Sequence, residues 1–246
     1  GENNTAVGAY ALDANTTAAN NVAFGQLALT SNTTGGSNVG LGTQTLFSNT
    51  TGNNNTSVGF QALYTNTTAN NNTALGFNAL LLNTTGASNT AIGSGALDAC
   101  TTSPSNTCVG NNAGGAITTG NGENVCVGNN AGAGMTTGQQ NIIIGDNACA
   151  NGALTGQTNV IIGDNAGLVL TSGSGNVGLG YRTLAANTAG TNTALGYEAL
   201  AANTTAGKNV AVGAYCLDAN TTAENNTAVG YAALGVNTTG SLNTAI

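Results

Sequence analysis

The chain has almost no charged side chains and lacks histidine and tryptophan, and these absences exclude several classes of protein. Only 4% of its 246 residues are Asp, Glu, Lys or Arg, against about a quarter in an ordinary globular domain. General acid-base catalysis draws mainly on His, Asp, Glu and Lys, and the nine acidic residues lie scattered along the sequence. We therefore expect a protein that is not an enzyme and needs neither a metal nor another cofactor.

Basic residues are equally scarce, because Arg182 and Lys208 are the only two. Nucleic-acid binding requires a surface rich in Lys and Arg, so a chain with a net charge of -7 is not expected to bind nucleic acid. Apolar runs are short, such as residues 142–144, and none approaches the roughly 18 residues of a membrane span. Membrane insertion is therefore not expected.

What the chain does have is Asn (40), Thr (40) and Gly (38), arranged in a repeat. A five-residue phrase opens with Asn4-Thr5-Ala6-Val7-Gly8 and consists of Asn, a β-branched residue, a small residue, a large apolar residue and Gly. Its glycines recur every 17 residues, with single steps of 16 or 18. They are Gly8, Gly25, Gly42, Gly59, Gly76, Gly93, Gly110, Gly128, Gly145, Gly163, Gly180, Gly196, Gly213 and Gly230.

A 17-residue period is too short for an independent domain, and no helical stripe survives the Gly and Asn content. It predicts an all-β fold, a β-solenoid of about 14–15 coils in which each coil adds one short strand that ends in the phrase. We predict that residues 1–246 form a single continuous solenoid with an aliphatic core. Residues 100–172 are predicted to be variant coils within it.

Residues that hold the same place in successive coils form a column, and these columns predict how a coil is packed. The residues three and one before each Gly share one face of the strand, and the small residue between them points the other way. Small residues there would let a second sheet or another protomer approach closely. In the variant coils a smaller residue, such as Gly114, replaces the Leu four positions after the Gly. A larger residue, such as Cys108, replaces the small residue of the phrase, and Ile117 replaces an Asn. We infer that these columns share one interior, because a dense core must refill lost volume.

The triplet Asn-Thr-Thr keeps one place in the coil and has two interpretations. Stacked Asn side chains form amide ladders between coils. The triplets are also Asn-x-Thr sequons, so the same residues are predicted glycan acceptors. The eight are Asn15, Asn32, Asn49, Asn66, Asn83, Asn203, Asn220 and Asn237.

Five cysteines are present, none in Cys-x-x-Cys spacing, and without histidine they do not indicate a zinc site. Cys108 and Cys126 hold the same column of consecutive coils, which makes them a candidate disulfide. Cys100 and Cys108 are a second candidate pair. Burial as small apolar side chains is the alternative for all five.

The phrase at residues 4–8, followed by Ala11-Leu12, resembles the head repeats of trimeric autotransporter adhesins and related repeats of phage tail fibres and bacterial surface fibres. The stretches 110–114 and 128–132 add to the likeness. The resemblance implies a surface-exposed β-roll, often trimeric, that binds host matrix or glycans.

The repeat phrase is present at both ends of the sequence, at residues 4–8 and 243–246. A repeat without caps offers unpaired strand edges, so we expect either a piece of a longer repeat or subunits that stack end to end into a filament. The leading expectation is a structural protein of the extracellular space or cell surface. Its expected partners are copies of itself, end to end or side by side. The alternative is an adhesin head or tail-fibre shaft with a glycan or matrix ligand.

Overall fold

The computed structural model describes all 246 residues, and it contains fifteen β-strands and no helix. The chain divides into two compact units, residues 1–123 and 124–246. The first unit holds β1 (Thr5–Val7), β2 (Val22–Phe24), β3 (Val39–Leu41), β4 (Thr56–Val58), β5 (Thr73–Leu75), β6 (Thr90–Ile92) and β7 (Thr107–Val109). The second holds β8 (Val125–Val127), β9 (Ile142–Ile144), β10 (Val160–Ile162), β11 (Val177–Leu179), β12 (Thr193–Leu195), β13 (Val210–Val212), β14 (Thr227–Val229) and β15 (Thr244–Ala245).

Within each unit, every strand pairs in parallel with the strand one repeat further along. In β4 and β5, for example, Ser57 lies opposite Ala74 and Val58 opposite Leu75. Because the strands pair in register, each residue stacks on the equivalent residue of the next coil. The predicted β-solenoid with a 17-residue period is confirmed for both units. One continuous solenoid over residues 1–246 stays a prediction, and the variant coils of 100–172 fall in both units.

The Gly that follows each strand is required for two physical reasons, which Gly59 illustrates. Its φ is +128°, a region that residues with a side chain rarely adopt. A Cβ atom at this position would also lie 2.4 Å from the carbonyl oxygen of Gly76 in the next coil. The column of glycines therefore fixes both the turn and the close approach of successive coils.

The Leu four residues after that Gly lies at a corner with left-handed backbone. Leu63, for example, has a φ of +52° and a fully buried side chain. Left-handed backbone costs a non-Gly residue roughly 1–2 kcal/mol, which the burial of a Leu, worth roughly 1.5–3 kcal/mol, offsets. In the variant coils Gly114 lies at this corner with a φ of +62°, so replacing Leu with Gly also removes the cost of left-handed backbone there.

The interior lies between the strand and the turn that carries this Leu. The middle residue of each strand from β2 to β14 is buried, and the first and third residues are more exposed. A Cβ on Gly40, in the middle of β3, would lie 3.4 Å from Cδ1 of Leu29. The element that faces the small column is therefore this Leu-bearing turn, not a second sheet. The expected aliphatic core consists mainly of Ala and Leu, because the large apolar residue at the end of each strand points outward. In the variant coils Ile143 and Ile161 are large middle residues that point inward.

The inference that the compensating columns share one interior is confirmed. A Cβ on Gly114 would lie 2.7 Å from Sγ of Cys108 and 2.9 Å from Cδ1 of Ile117. The sulfur and the Ile methyl group therefore fill the volume that a Leu occupies elsewhere. No helical segment has the length and apolar character that crossing a membrane would require.

Candidate functional site

The Asn-Thr-Thr turns of the first unit form a ladder of side-chain amides that runs from Asn32 to Asn83. Nδ2 of Asn49 donates to Oδ1 of Asn32 across 2.8 Å and to the carbonyl of Gly52 across 3.0 Å. Asn66 repeats the arrangement on Asn49, again at 2.8 Å. The adjacent Thr50 hydroxyl donates to the carbonyl of Thr67 in the next coil. The predicted amide ladder between coils is confirmed.

Burial separates the two interpretations of these Asn residues. Six of the eight predicted glycan acceptors are fully buried. They are Asn32, Asn49, Asn66, Asn83, Asn203 and Asn220. A glycan on Nδ2 needs a path to solvent and would displace a ladder hydrogen bond, so the geometry favours the ladder at all six. Asn15 and Asn237 are half-buried, and these two stay predicted acceptors.

A second ladder, which the sequence analysis did not anticipate, is formed by the Asn that opens each phrase. Oδ1 of Asn38 accepts from the backbone N–H of Asn55 across 2.9 Å, and Nδ2 of Asn55 donates to the carbonyl of Ala69. The same bonds recur in the second unit, where the backbone N–H of Asn176 donates to Oδ1 of Asn159 and Nδ2 of Asn176 donates to the carbonyl of Ala189. The signal was the presence of Asn four residues before each repeat Gly, since an amide can both donate and accept along the stack.

The turn ladder stops where the sequence replaces Asn with an apolar residue. Cys100 occupies the next step after Asn83, and Oδ1 of Asn83 is buried without a hydrogen-bond partner. The Cys100 thiol donates weakly to the carbonyl of Ser103 at 3.4 Å. Beyond it the column continues with buried Ile117 and Met135, so amides and apolar side chains form separate blocks.

All five cysteines are buried, in agreement with the apolar alternative. Burial raises the pKa of Cys100 to about 11, and burial together with the neighbouring Cys126 raises the pKa of Cys149. Thiolates are the nucleophilic and metal-binding form of cysteine, so these thiols are poorly suited to either chemistry. Cys108 is the middle residue of β7 and Cys126 of β8, and the disulfide between them stays a prediction.

The outward side of the strands carries apolar and Thr side chains, and we call it the outer strand face: the first and third residues of β1–β14. The third residue is Val, Leu, Ile or Phe in all 14 of these strands. Several of these side chains are strongly exposed, including Phe24 (58%), Leu75 (46%) and Leu179 (50%). No strand contains a charged residue. This face is the largest regular surface that the fold presents.

Aromatic residues one or two positions after the repeat Gly stack on one another along the coils. The rings of Phe60 and Phe77 are stacked with their centroids 5.6 Å apart, and those of Tyr181 and Tyr197 are 5.0 Å apart. Tyr215 and Tyr231 continue the second row with tilted rings. All except Tyr215 are exposed, so the rows form ridges on the surface more than a cover for the core.

Three of the charged side chains, Arg182, Glu198 and Asp218, line a shallow depression in the second unit. Nη1 of Arg182 lies 3.2 Å from Oε1 of Glu198. Such a solvent-exposed ion pair contributes about 0–1 kcal/mol to stability. The acidic residues elsewhere are dispersed, and no three His, Cys, Asp or Glu side chains form a group that could hold a metal ion.

Comparisons with known proteins add no relative to this description. No family model matches the chain, and no curated protein or solved structure matches it. The resemblance to adhesin and tail-fibre repeats therefore rests on the quoted phrases alone.

Proposed function

We propose that this chain is a structural protein, a β-solenoid whose stacked coils build a filament or fibre outside the cell or at its surface. The observation that carries the proposal is that consecutive coils are joined by the same contacts. These are the parallel strand pair, two Asn ladders and the Thr hydroxyl bonds, as at Asn49, Asn55 and Thr50. Because one coil docks on the next through a fixed set of bonds, the structure favours axial growth and stiffness.

The scarcity of charge supports the same proposal. Side chains of one column lie about 4.8 Å apart along the stack, a spacing at which like charges would repel. Asn, Thr and Gly fill the turns without this penalty. A mechanical role of this kind requires no cofactor and no catalytic group.

Electron microscopy of the purified chain over a series of concentrations tests this proposal. Axial growth predicts filaments whose length increases with concentration while their diameter stays constant. Short rods of uniform length at every concentration would contradict it.

The second candidate function is an adhesin head or fibre shaft that binds glycans or host matrix, and the exposed aromatic rows favour it. Sugar rings pack against aromatic side chains, and Tyr231 is 78% exposed at one end of its row. A glycan array probed with the purified chain tests this role. Binding that Tyr197→Ala and Tyr231→Ala abolish, and that Tyr10→Ala at an exposed site of the first unit leaves intact, would support it.

A further inference from the structure

The outer strand face combines exposure with strict exclusion of polar residues at one position. The third strand residue is apolar in all 14 three-residue strands, yet Val7, Phe24 and Leu75 each expose more than two fifths of their surface. An isolated exposed apolar residue is ordinary, but a contiguous apolar patch marks an interaction surface.

The repeat itself provides a comparison within the chain. Two residues after each Gly is another exposed or half-exposed column, and there Gln44, Asn78 and Arg182 all occur. That column tolerates polar and charged side chains, whereas the third strand residue does not. The two columns differ in backbone as well, because Gln44, Asn78 and Arg182 have positive φ, a region in which Asn is enriched. The first residue of the same strands has the extended backbone of the third, and it is Thr in seven of the 14 strands, whereas the third residue never is. Strand conformation and solvent contact would allow Thr at both positions, so the difference indicates that the third residues are covered.

We infer that the outer strand face binds the same face of a second copy of this chain, sheet against sheet. Every row of the face repeats at the strand spacing of about 4.8 Å, so a partner that fits all rows must have that spacing, and a second copy has it. The face carries no charge that could recognise an oppositely charged partner. Its Val, Leu, Ile, Phe and Thr side chains are instead suited to self-complementary packing, with the sheets about 10 Å apart.

The size of the face sets the strength of such a pair. With about 3.3 Å per residue and about 4.8 Å per strand, the seven strands of the face in each unit present roughly 330 Å². This area is below the ~800 Å² per partner of a standard protein interface, so we expect a weak association that depends on concentration. The inference is independent of the proposed axial growth, because two chains of finite length would satisfy it.

Sedimentation of the full chain with a matched pair of variants tests the inference. Leu75 on the outer strand face and Leu82 in a turn are 46% and 45% exposed, so Leu75→Glu and Leu82→Glu add the same charge at equally exposed sites of one unit. We expect the wild type to form dimers or larger lateral assemblies. Leu75→Glu should raise the dissociation constant at least about tenfold, or 1.4 kcal/mol. Leu82→Glu should leave it unchanged.

Three results would overturn the inference. They are a wild type that stays monomeric at all concentrations, equal effects of the two substitutions, and an association that Leu75→Glu leaves intact. The last result would indicate axial contacts instead. Circular dichroism establishes that each variant folds. If Leu75→Glu does not, Leu75→Thr replaces it, since Thr occupies the first position of several strands, as at Thr73, and a smaller increase in the dissociation constant is then expected.

Discussion

Asn49 and Asn32 are joined through their side chains, with Nδ2 of the first donating to Oδ1 of the second across 2.8 Å. Both amides are fully buried, and a buried amide is expensive unless its hydrogen bonds are made. Each step of the ladder satisfies the step before it, so an Asn in this turn makes its full set of hydrogen bonds only when both neighbours in the column are Asn. This dependence accounts for the block in which Cys100, Ile117 and Met135 replace the amides together.

The end of the ladder should tolerate truncation better than its middle. Asn49→Ala removes hydrogen bonds to both neighbouring coils, whereas Asn83→Ala removes a bond to one neighbouring coil, at Asn66, since Oδ1 of Asn83 has no partner. Each substitution also removes the bond within its own turn, to the carbonyl of Gly52 or Gly86. We expect Asn49→Ala to lower the free energy of unfolding by about 1–2 kcal/mol more than Asn83→Ala. Urea unfolding measures the difference, with Thr51→Ala at an exposed site as the control. Equal losses for the two variants would show that the ladder is not cooperative.

The Gly corner of the variant coils should depend on the Cys beside it. Gly114→Ala places a Cβ 2.7 Å from Sγ of Cys108 and adds a side chain at a φ of +62°. We expect the single variant to be destabilised by roughly 1–3 kcal/mol. Adding Cys108→Ala should recover part of that loss, because it removes the clashing sulfur while the backbone strain remains. A double-mutant cycle of thermal stabilities measures the coupling, and strictly additive effects would contradict the shared interior.

The cysteines should be unreactive until the coils open. Burial raises the pKa of Cys100 to about 11 and raises that of Cys149 as well, so little thiolate exists at neutral pH. We expect iodoacetamide at pH 8 to leave the folded chain unmodified and to alkylate it in denaturant. Mass spectrometry without reductant then tests the predicted disulfide. Of the five cysteines, three are alkylated if either candidate pair is bonded, and all five are alkylated if neither is. Peptide mapping then shows whether the unmodified partner of Cys108 is Cys126 or Cys100.

Asp98 should make the chain less stable as its carboxyl group ionises. Desolvation by burial raises its pKa above 3.8, in opposition to hydrogen bonds from the backbone N–H groups of Ala99 and Asp98 that lower it. A raised folded-state pKa means that stability is retained below pH 3.8 and lost as the pH rises through the folded value.

Asp98→Asn removes this loss, so we expect a higher melting temperature than the wild type at pH 7 and no difference of this origin at pH 3. Asp13→Asn is the matched control, because Asp13 holds the same place in its coil and is exposed. A gain for Asp98→Asn that is as large at pH 3 as at pH 7 would argue against an electrostatic origin.

Much of the fold could be predicted from the sequence, because periodicity identifies the coil and the columns identify its interior. The repeat predicted the strands that end before Gly59 and its equivalents, and the compensating change at Gly114 and Cys108 predicted which columns touch. The amide ladder followed from the fixed place of Asn49 and its equivalents. Each of these signals comes from comparing equivalent positions in different coils, and the repeat provides many such comparisons.

Two features could not be predicted, for physical reasons that Leu63 and Phe24 illustrate. A left-handed backbone at a Leu opposes its local preference, and only packing in the folded coil compensates for it. Phe24 and the Val, Leu and Ile of its column would be assigned to the core by hydrophobicity, yet they lie outside. Alternation along a three-residue strand separates the two faces but does not say which one points inward. That choice depends on the narrow interior, which has room only for small side chains opposite Leu.

The most direct test of the central claim, that the coils stack to build a fibre, is electron microscopy of the purified chain combined with diffraction from aligned assemblies. Stacked coils should form filaments that lengthen with protein concentration and give an axial reflection at about 4.8 Å from the coil spacing. Isolated rods of one fixed length, whatever the concentration, would contradict it.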